Sequence, residues 1–434
     1  MKSLINVRHI RLLRALSRRW QRRAIFTIGA FAVGLAAVGL ALASDGALHA
    51  FHELFRKAPY AALVITPLGF ALSVYLARKY FPNTQGSGIP QVIAARALKE
   101  PEDRARLVGL RVGIGKMGLT LLGLLVGASV GREGPTVQIG ASLMFAIGRL
   151  TPRRQPGLIL AGAAAGVAAA FNTPLAGIVF AIEEISRTFE VRTSGLIIGA
   201  VILSGLISLY LLGNYTYFGY SNAMLPTGMD WLSVLVCGVL GGLFGGFFSR
   251  ILVQTANGIP GIAGGWIKQN PILFAAACGL AVAVCGILSD GAVFGTGYAS
   301  ARGIIHETHP LPLSFMPMKF LATVLSSVSG MPGGIFSPSL SVGAGLGADI
   351  AHLFPHAPIG PIVLLGMVAY FTGVVQAPIT SFVIVSEMTA NHRMLVPLMA
   401  AALIANAVSK LVCREGVYHA LSKNFLRGAG PVSH

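Results

Sequence analysis

The chain has 434 residues, of which 54% are hydrophobic and only 11% charged, whereas a soluble domain of this size carries about a quarter charged residues. That composition excludes an ordinary soluble domain and points to a membrane protein. The net charge of +18 does not indicate nucleic-acid binding, because the basic residues collect at the ends of apolar segments and lack interleaved aromatics.

Residues 1 to 23 hold eight basic residues (Lys2, Arg8, Arg11, Arg14, Arg18, Arg19, Arg22, Arg23) and no acid. By the positive-inside rule this keeps the N-terminus cytoplasmic, as a basic helix suited to a lipid surface. The next uncharged stretch, Ala24 to Ser44, is 21 residues long. A signal peptide is the competing reading, since Ala41-Leu42-Ala43 imitates a cleavage site, but the stretch is long for an h-region and many spans follow. It reads as a retained first span. Further uncharged runs cover Ala58 to Ala77, Trp231 to Ser249 and Gln269 to Ser289. Each is long enough to cross a hydrocarbon core of ~30 Å as a helix. Two runs of 37 residues, Thr193 to Met229 and Ile350 to Ser386, and several interrupted by Pro and Gly, predict over a dozen helices, some too short to span.

Enzyme and metal motifs are not found. Gly113-Ile114-Gly115-Lys116-Met117 lacks the Ser or Thr of a phosphate loop, and His306-Glu307-Thr308-His309 is not the zinc-binding spacing. The four cysteines, Cys237, Cys278, Cys285 and Cys413, sit in or at the end of apolar segments and read as small hydrophobic side chains. No cofactor is expected.

The chain repeats itself. Gly131-Arg132-Glu133-Gly134-Pro135 aligns with Gly334-Ile335-Phe336-Ser337-Pro338 at an offset of 334 − 131 = 203. Lys116 meets Lys319, and Gly140 meets Gly343, at the same offset. Asn172 through Glu183 aligns with Gln376 through Glu387 at 204, as Gly162 does with Gly366. The expected organisation is a basic N-terminal helix (1–23), a first membrane repeat (24–220) and a second (221–434). Duplicated transporters often place the substrate between halves of opposite orientation.

Gly86-Ser87-Gly88-Ile89-Pro90, Gly131 to Pro135 and Gly333 to Pro338 are glycine-rich turns, each ending in Pro, the residue best tolerated at a first helical position. Each is predicted to open a helix whose free N–H groups and dipole attract an anion without a full cation to trap it. Close packing and kinking is the alternative reading for such residues, but three motifs in two related halves favour an anion site.

Glu133 lies at one such start, where its carboxylate competes with an anion for the site. Protonation would free the site, so one group gates the anion path and carries a proton. A salt bridge to Arg132 is the competing reading. Thr173 and Pro174 read as N-cap and first residue of a helix, which puts Glu183 and Glu184 near its C-terminus, where the dipole disfavours them. An ion pair with Arg187 would explain Glu183 better than Glu184.

These motifs, their order and the late Tyr418 resemble those of the CLC family of chloride channels and chloride/proton exchangers, over essentially the whole chain. The resemblance implies an all-α homodimer of tilted and broken helices, each subunit an inverted repeat with its own pore. It implies chloride held by the Ser87 and Tyr418 hydroxyls and the Ile335 and Phe336 amides. Glu133 matches the gating glutamate, Glu184 the acid that takes protons from the cytoplasm, Glu183 a residue lining that access route, and Lys116 a lysine linked electrostatically to the internal acid. Gly86, Gly88, Pro90, Gly131, Arg132, Gly134, Gly334 and Pro338 shape the helix starts. One departure stands out: Gln91-Val92-Ile93 follows Pro90 where exchangers often carry acids, which loosens the expectation of tight proton coupling. Ser87 is the residue of chloride-selecting members, and the end at His434 leaves no room for the nucleotide-sensing domains of eukaryotic relatives. The expectation is a proton-coupled chloride antiporter of a bacterial inner membrane, with both termini cytoplasmic and chloride, protons and lipid as its partners. A passive chloride channel is the alternative.

Overall fold

The computed structural model describes residues 2–149, 154–187, 191–222, 224–306 and 312–428. The side chains of the first nineteen residues, residues 307–309 of the histidine-containing stretch and the last six residues lie outside the described part. The described residues form nineteen α-helices and no named strand. In the first part of the chain these are α1 (Lys2–Lys57), α2 (Ala62–Tyr80), α3 (Ile89–Ala97), α4 (Pro101–Val108) and α5 (Leu110–Leu125). Then come α6 (Glu133–Gly148), α7 (Gln155–Phe171), α8 (Pro174–Phe180), a π-helical segment Ala181–Ser186, and α9 (Val191–Leu212). The chain continues through α10 (Leu232–Asn257), α11 (Gly261–Gln269), α12 (Pro271–Leu288), α13 (Tyr298–Ile305) and α14 (Phe315–Val328). It ends with α15 (Phe336–Ala351), α16 (Ile359–Val375), α17 (Pro378–Thr389), α18 (Leu395–Val412) and α19 (Val417–Gly428).

Seven helical stretches among the described residues are long and apolar enough to cross a membrane, the first being Trp20–Lys57 and the last Leu395–Val412. The protein is a multi-pass membrane protein with many shorter helices between its spans. The first span differs from the sequence expectation, because α1 runs unbroken for 56 residues. At 1.5 Å per residue that is about 84 Å, far more than a bilayer core. Asp45 ends the uncharged window without ending the helix, since its carboxylate takes a hydrogen bond from Arg132 at 2.7 Å.

The core is built on two helices that are buried almost throughout, α7 and α16. They have 17 residues each and both end at a left-handed residue, Asn172 and Gln376. Helix α7 packs on α6, and α16 on α15. These contacts bring backbones together at glycine: a Cβ at Gly343 would stand 2.7 Å from the Gly366 carbonyl oxygen, and one at Gly140 would likewise meet the Gly162 oxygen. Helices without a water-driven reason to associate gain from such close backbone approach. The two glycine pairs are the ones related by the sequence offset.

Candidate anion site

Three glycine-rich loops meet at the centre of the described structure. Gly131 and Gly334 exchange backbone hydrogen bonds in both directions at 2.7 Å. Gly86 donates to the Met331 carbonyl at 3.2 Å, and Gly333 donates to the Gly86 carbonyl at 3.0 Å. Gly86 and Gly88 have φ of +67° and +104°, which L side chains rarely adopt. That geometry turns the chain from the end of α2 into α3, where Pro90 sits in the first turn. Gly134 must lack a Cβ because one there would press on the Ser87 hydroxyl and carbonyl. The starts of α3, α6 and α15 are thus held together by backbone, with Pro135 and Pro338 in the first turns of the last two.

The Ser87 loop is fastened from outside. Lys116, fully buried on α5, donates to the carbonyls of Thr84 (2.7 Å) and Gly86. Gln91 Nε2 donates to those of Asn83 (3.2 Å) and Gln85 (2.7 Å). Four consecutive carbonyls are taken by two side chains, so their negative ends are neutralised beside Ser87. Among the described hydrogen bonds and ion pairs Lys116 therefore serves this loop and makes no direct contact with Glu184. Lys319 repeats the arrangement on Val293 (2.7 Å) and Gly295 (2.8 Å), where Gly295-Thr296-Gly297 precedes α13. The twin loop differs in its hydroxyl: Thr296 Oγ1 accepts from the Tyr298 amide at 3.2 Å. Ser87 Oγ is buried and makes no hydrogen bond among the described residues.

Tyr418, the second residue of α19, is fully buried, and its hydroxyl also has no hydrogen bond of acceptable geometry among the described residues. It lies within reach of Ser87 and within electrostatic range of both Glu133 and Glu184. The Ile335 and Phe336 amides at the start of α15 have no acceptor among the described residues. The Ser87 and Tyr418 hydroxyls and the Ile335 and Phe336 amides are thus all donors with no acceptor among the described residues, a set of groups suited to an anion. A cavity of about 470 Å³ reaches Ser87 and Ile335, with Asp103, Arg106 and Asn424 also in its wall.

Glu133 closes the arrangement from the α6 side. It is 1% exposed. Its Oε1 accepts from the Ser337 hydroxyl, and its Oε2 stands 3.5 Å from the Ser337 amide. The carboxylate of one half thus occupies the helix start of the other, where an anion is favoured. Arg132 does not pair with it. Its guanidinium turns to α1, donating to the Ala41 carbonyl (2.6 Å) and to Asp45 (2.7 Å).

Glu184 sits apart from Glu133, in the π-helical segment, a form found often at functional sites. It is 2% exposed, and its Oε1 has no hydrogen bond among the described residues. Glu183 points elsewhere: its oxygens accept from the Ile379 (3.1 Å) and Thr380 (2.6 Å) amides at the start of α17. Glu387, at the end of α17, does the same for Leu175 (3.1 Å) and Ala176 (2.6 Å) at the start of α8. The two helices cap each other. Neither Thr173 nor Ala377 supplies a side-chain cap, so these carboxylates replace it. Ser337, Lys319 and Glu387 were not singled out by the sequence reading, although the repeat already aligns the latter two with Lys116 and Glu183.

An all-helical membrane protein with three glycine-rich helix starts held together, and a buried carboxylate lodged on one of them, is the class these features define. Residues 69–410 match the family described as Voltage gated chloride channel. The H(+)/Cl(-) exchange transporter ClcA of Yersinia pestis bv. Antiqua (strain Angola) is 32% identical over 450 positions, covering 95% of this chain and 90% of the relative. The protein of the same description from Citrobacter koseri is 33% identical, over 84% of this chain and 80% of its own. Among solved structures, a slow cyanobacterial Cl-/H+ antiporter superposes with a TM-score of 0.79 at 23% identity, over 93% of this chain and 97% of the other. A CLC-type fluoride/proton antiporter does so with 0.75 at 24%, over 91% and 97%. The chain belongs to the voltage gated chloride channel family.

Proposed function

We propose that this protein is a proton-coupled chloride antiporter in which Glu133 is both gate and proton carrier. The observation that carries the reading is the Glu133 carboxylate on the start of α15, hydrogen-bonded to Ser337. A tethered carboxylate there excludes chloride by occupying the same positive helix end. Protonation removes its charge and its claim on the site, chloride replaces it, and the neutral side chain carries the proton away. Chloride is held by the Ser87 and Tyr418 hydroxyls and the Ile335 and Phe336 amides, all dipoles, so that it binds without being trapped.

Glu184 is the second proton site, reached from the cytoplasmic side, with Tyr418 between it and Glu133. Lys116 positions the Ser87 loop, and Glu183 anchors the segment that carries Glu184. The matched helices α6 and α15, α7 and α16, and α8 and α17 support two repeats, 24–220 and 221–434, inserted with opposite orientation. The protein acts as a homodimer in a bacterial inner membrane, with cytoplasmic termini. The exchange named for the ClcA relatives supports antiport over passive conduction, as does the presence of both buried acids.

The test is reconstitution in liposomes with simultaneous recording of chloride and pH. An imposed chloride gradient should drive protons uphill. Chloride flux with no proton movement against its gradient would assign the protein as a channel instead.

A further inference from the structure

As the inner proton site, Glu184 needs a route for protons beyond its neighbour Glu183. Both oxygens of Glu183 are engaged by amides of α17. Glu184 itself is sealed, its side chain 3% exposed. The group that touches it from the outside is His419, on α19 next to Tyr418. His419 Nε2 lies 2.6 Å from the Glu184 backbone carbonyl and 3.8 Å from the carboxylate Oε1. A carbonyl only accepts, so Nε2 carries the hydrogen. Nδ1 makes no hydrogen bond among the described residues and is not a buried atom. The His419 side chain keeps 14% exposure, and of the charged groups around it, Arg187 and Lys423 are exposed and Glu415 is partly so. Arg96 on α3 faces the same segment through the Ile185 carbonyl at 3.4 Å. Exposure thus falls stepwise from these charges through the imidazole to the carboxylate.

We propose that His419 is the relay that delivers protons to Glu184, which rests on Glu184 being the inner proton site of the antiporter. Nδ1 takes a proton from water, giving an imidazolium. The Nε2–H bond then breaks toward Glu184, whose carboxylate becomes a carboxylic acid. The neutral ring recovers its Nε2–H form by exchange with water. The transfer requires the 3.8 Å separation to close by rotation of either side chain. Helix α19 lies outside the spanning segments, and burial first, then Arg187, push the His419 pKa down to about 4. The ring is therefore neutral at rest and passes a proton on instead of storing it.

The test compares four proteins in liposomes: wild type, Glu184→Gln, His419→Gln and His419→Ala. The His419→Gln amide can still donate to the Glu184 carbonyl but cannot titrate. It should lower proton flux by about a hundredfold, the lower end for positioned proton transfer, while chloride flux persists uncoupled. Proton flux in His419→Ala should return in part when imidazole is added to the buffer, a response that a structural role would not give. Wild-type proton flux in His419→Gln, or a loss in His419→Ala that imidazole does not relieve, overturns the relay. Glu184→Gln separates the two levels of the proposal. If it keeps proton flux, the reading of Glu184 fails and the relay with it; if it alone loses proton flux, only the relay is wrong.

Discussion

Glu133 and Ser337 meet across the starts of α6 and α15, and the chemistry of that contact sets the sharpest expectations for single residues. A glutamine at 133 has the shape of the protonated acid and no charge, so the claim on the α15 start is lost at every pH. Glu133→Gln should therefore pass chloride without moving protons. Wild-type chloride flux should rise on acidification, because protonation is what frees the site, and the variant should show a flat profile. Chloride efflux recorded across pH for both proteins decides this, and a Glu133→Gln protein that keeps proton-coupled, pH-sensitive transport would refute the gate. The anion site itself makes a second demand. Bromide, visible by its anomalous scattering, should appear within hydrogen-bond distance of Ser87 Oγ, Tyr418 Oη and the Ile335 and Phe336 amides. Density confined to some other part of the protein would rule out the assignment.

At the scale of elements, the mutual capping of α8 and α17 predicts symmetric consequences. Each carboxylate satisfies two amides that have no other cap, with matching distances of 3.1 and 2.6 Å. Glu183→Ala and Glu387→Ala should each cost about 1–2 kcal/mol, as loss of a helix N-cap does. The midpoint of unfolding in SDS titration measures it. A large cost for one and none for the other would mean the pair is not a structural unit. This is also where reading the sequence reached its limit. Helix starts are legible, because Gly supplies positive φ and Pro a first turn, and three such starts suffice to suggest an anion site. The repeat aligns Glu183 with Glu387, but alignment cannot say that each acid crosses over to the other's helix. Tyr418 looks like an interfacial aromatic from its neighbours; only the fold buries it beside Ser87. The Gly295-Thr296-Gly297 twin is hidden because it lies 295 − 86 = 209 residues from its partner, outside the common offset. The length of α1 escaped for a different reason: Asp45 looks like the end of a span until its partner Arg132, 87 residues away, is known.

For the whole molecule, the arrangement of short helices bears on how many copies work together. Helices α8 and α17 have 7 and 12 residues, too few to cross a core that takes about 20. Yet they lie at the surface of the single chain, with Leu175 61% and Ile379 50% exposed. Neighbouring α9 and α18 extend the apolar face through Ile202 and Leu403, at 54% and 60%. Spanning helices can present such side chains to lipid at no cost, but the ends of short helices cannot, because hydrocarbon offers nothing to exposed backbone. The Glu183 and Glu387 caps lie at that same surface. Covering it with the same surface of a second copy, about a two-fold axis, shields both pairs of ends at once. The purified protein should accordingly show the mass of a dimer in lipid nanodiscs by native mass spectrometry. Leu175→Trp combined with Ile379→Trp adds bulk to this face without touching the anion site and should shift the population to monomers. A wild-type monomer, or a dimer indifferent to both tryptophans, would mean that something other than a second copy covers these helices.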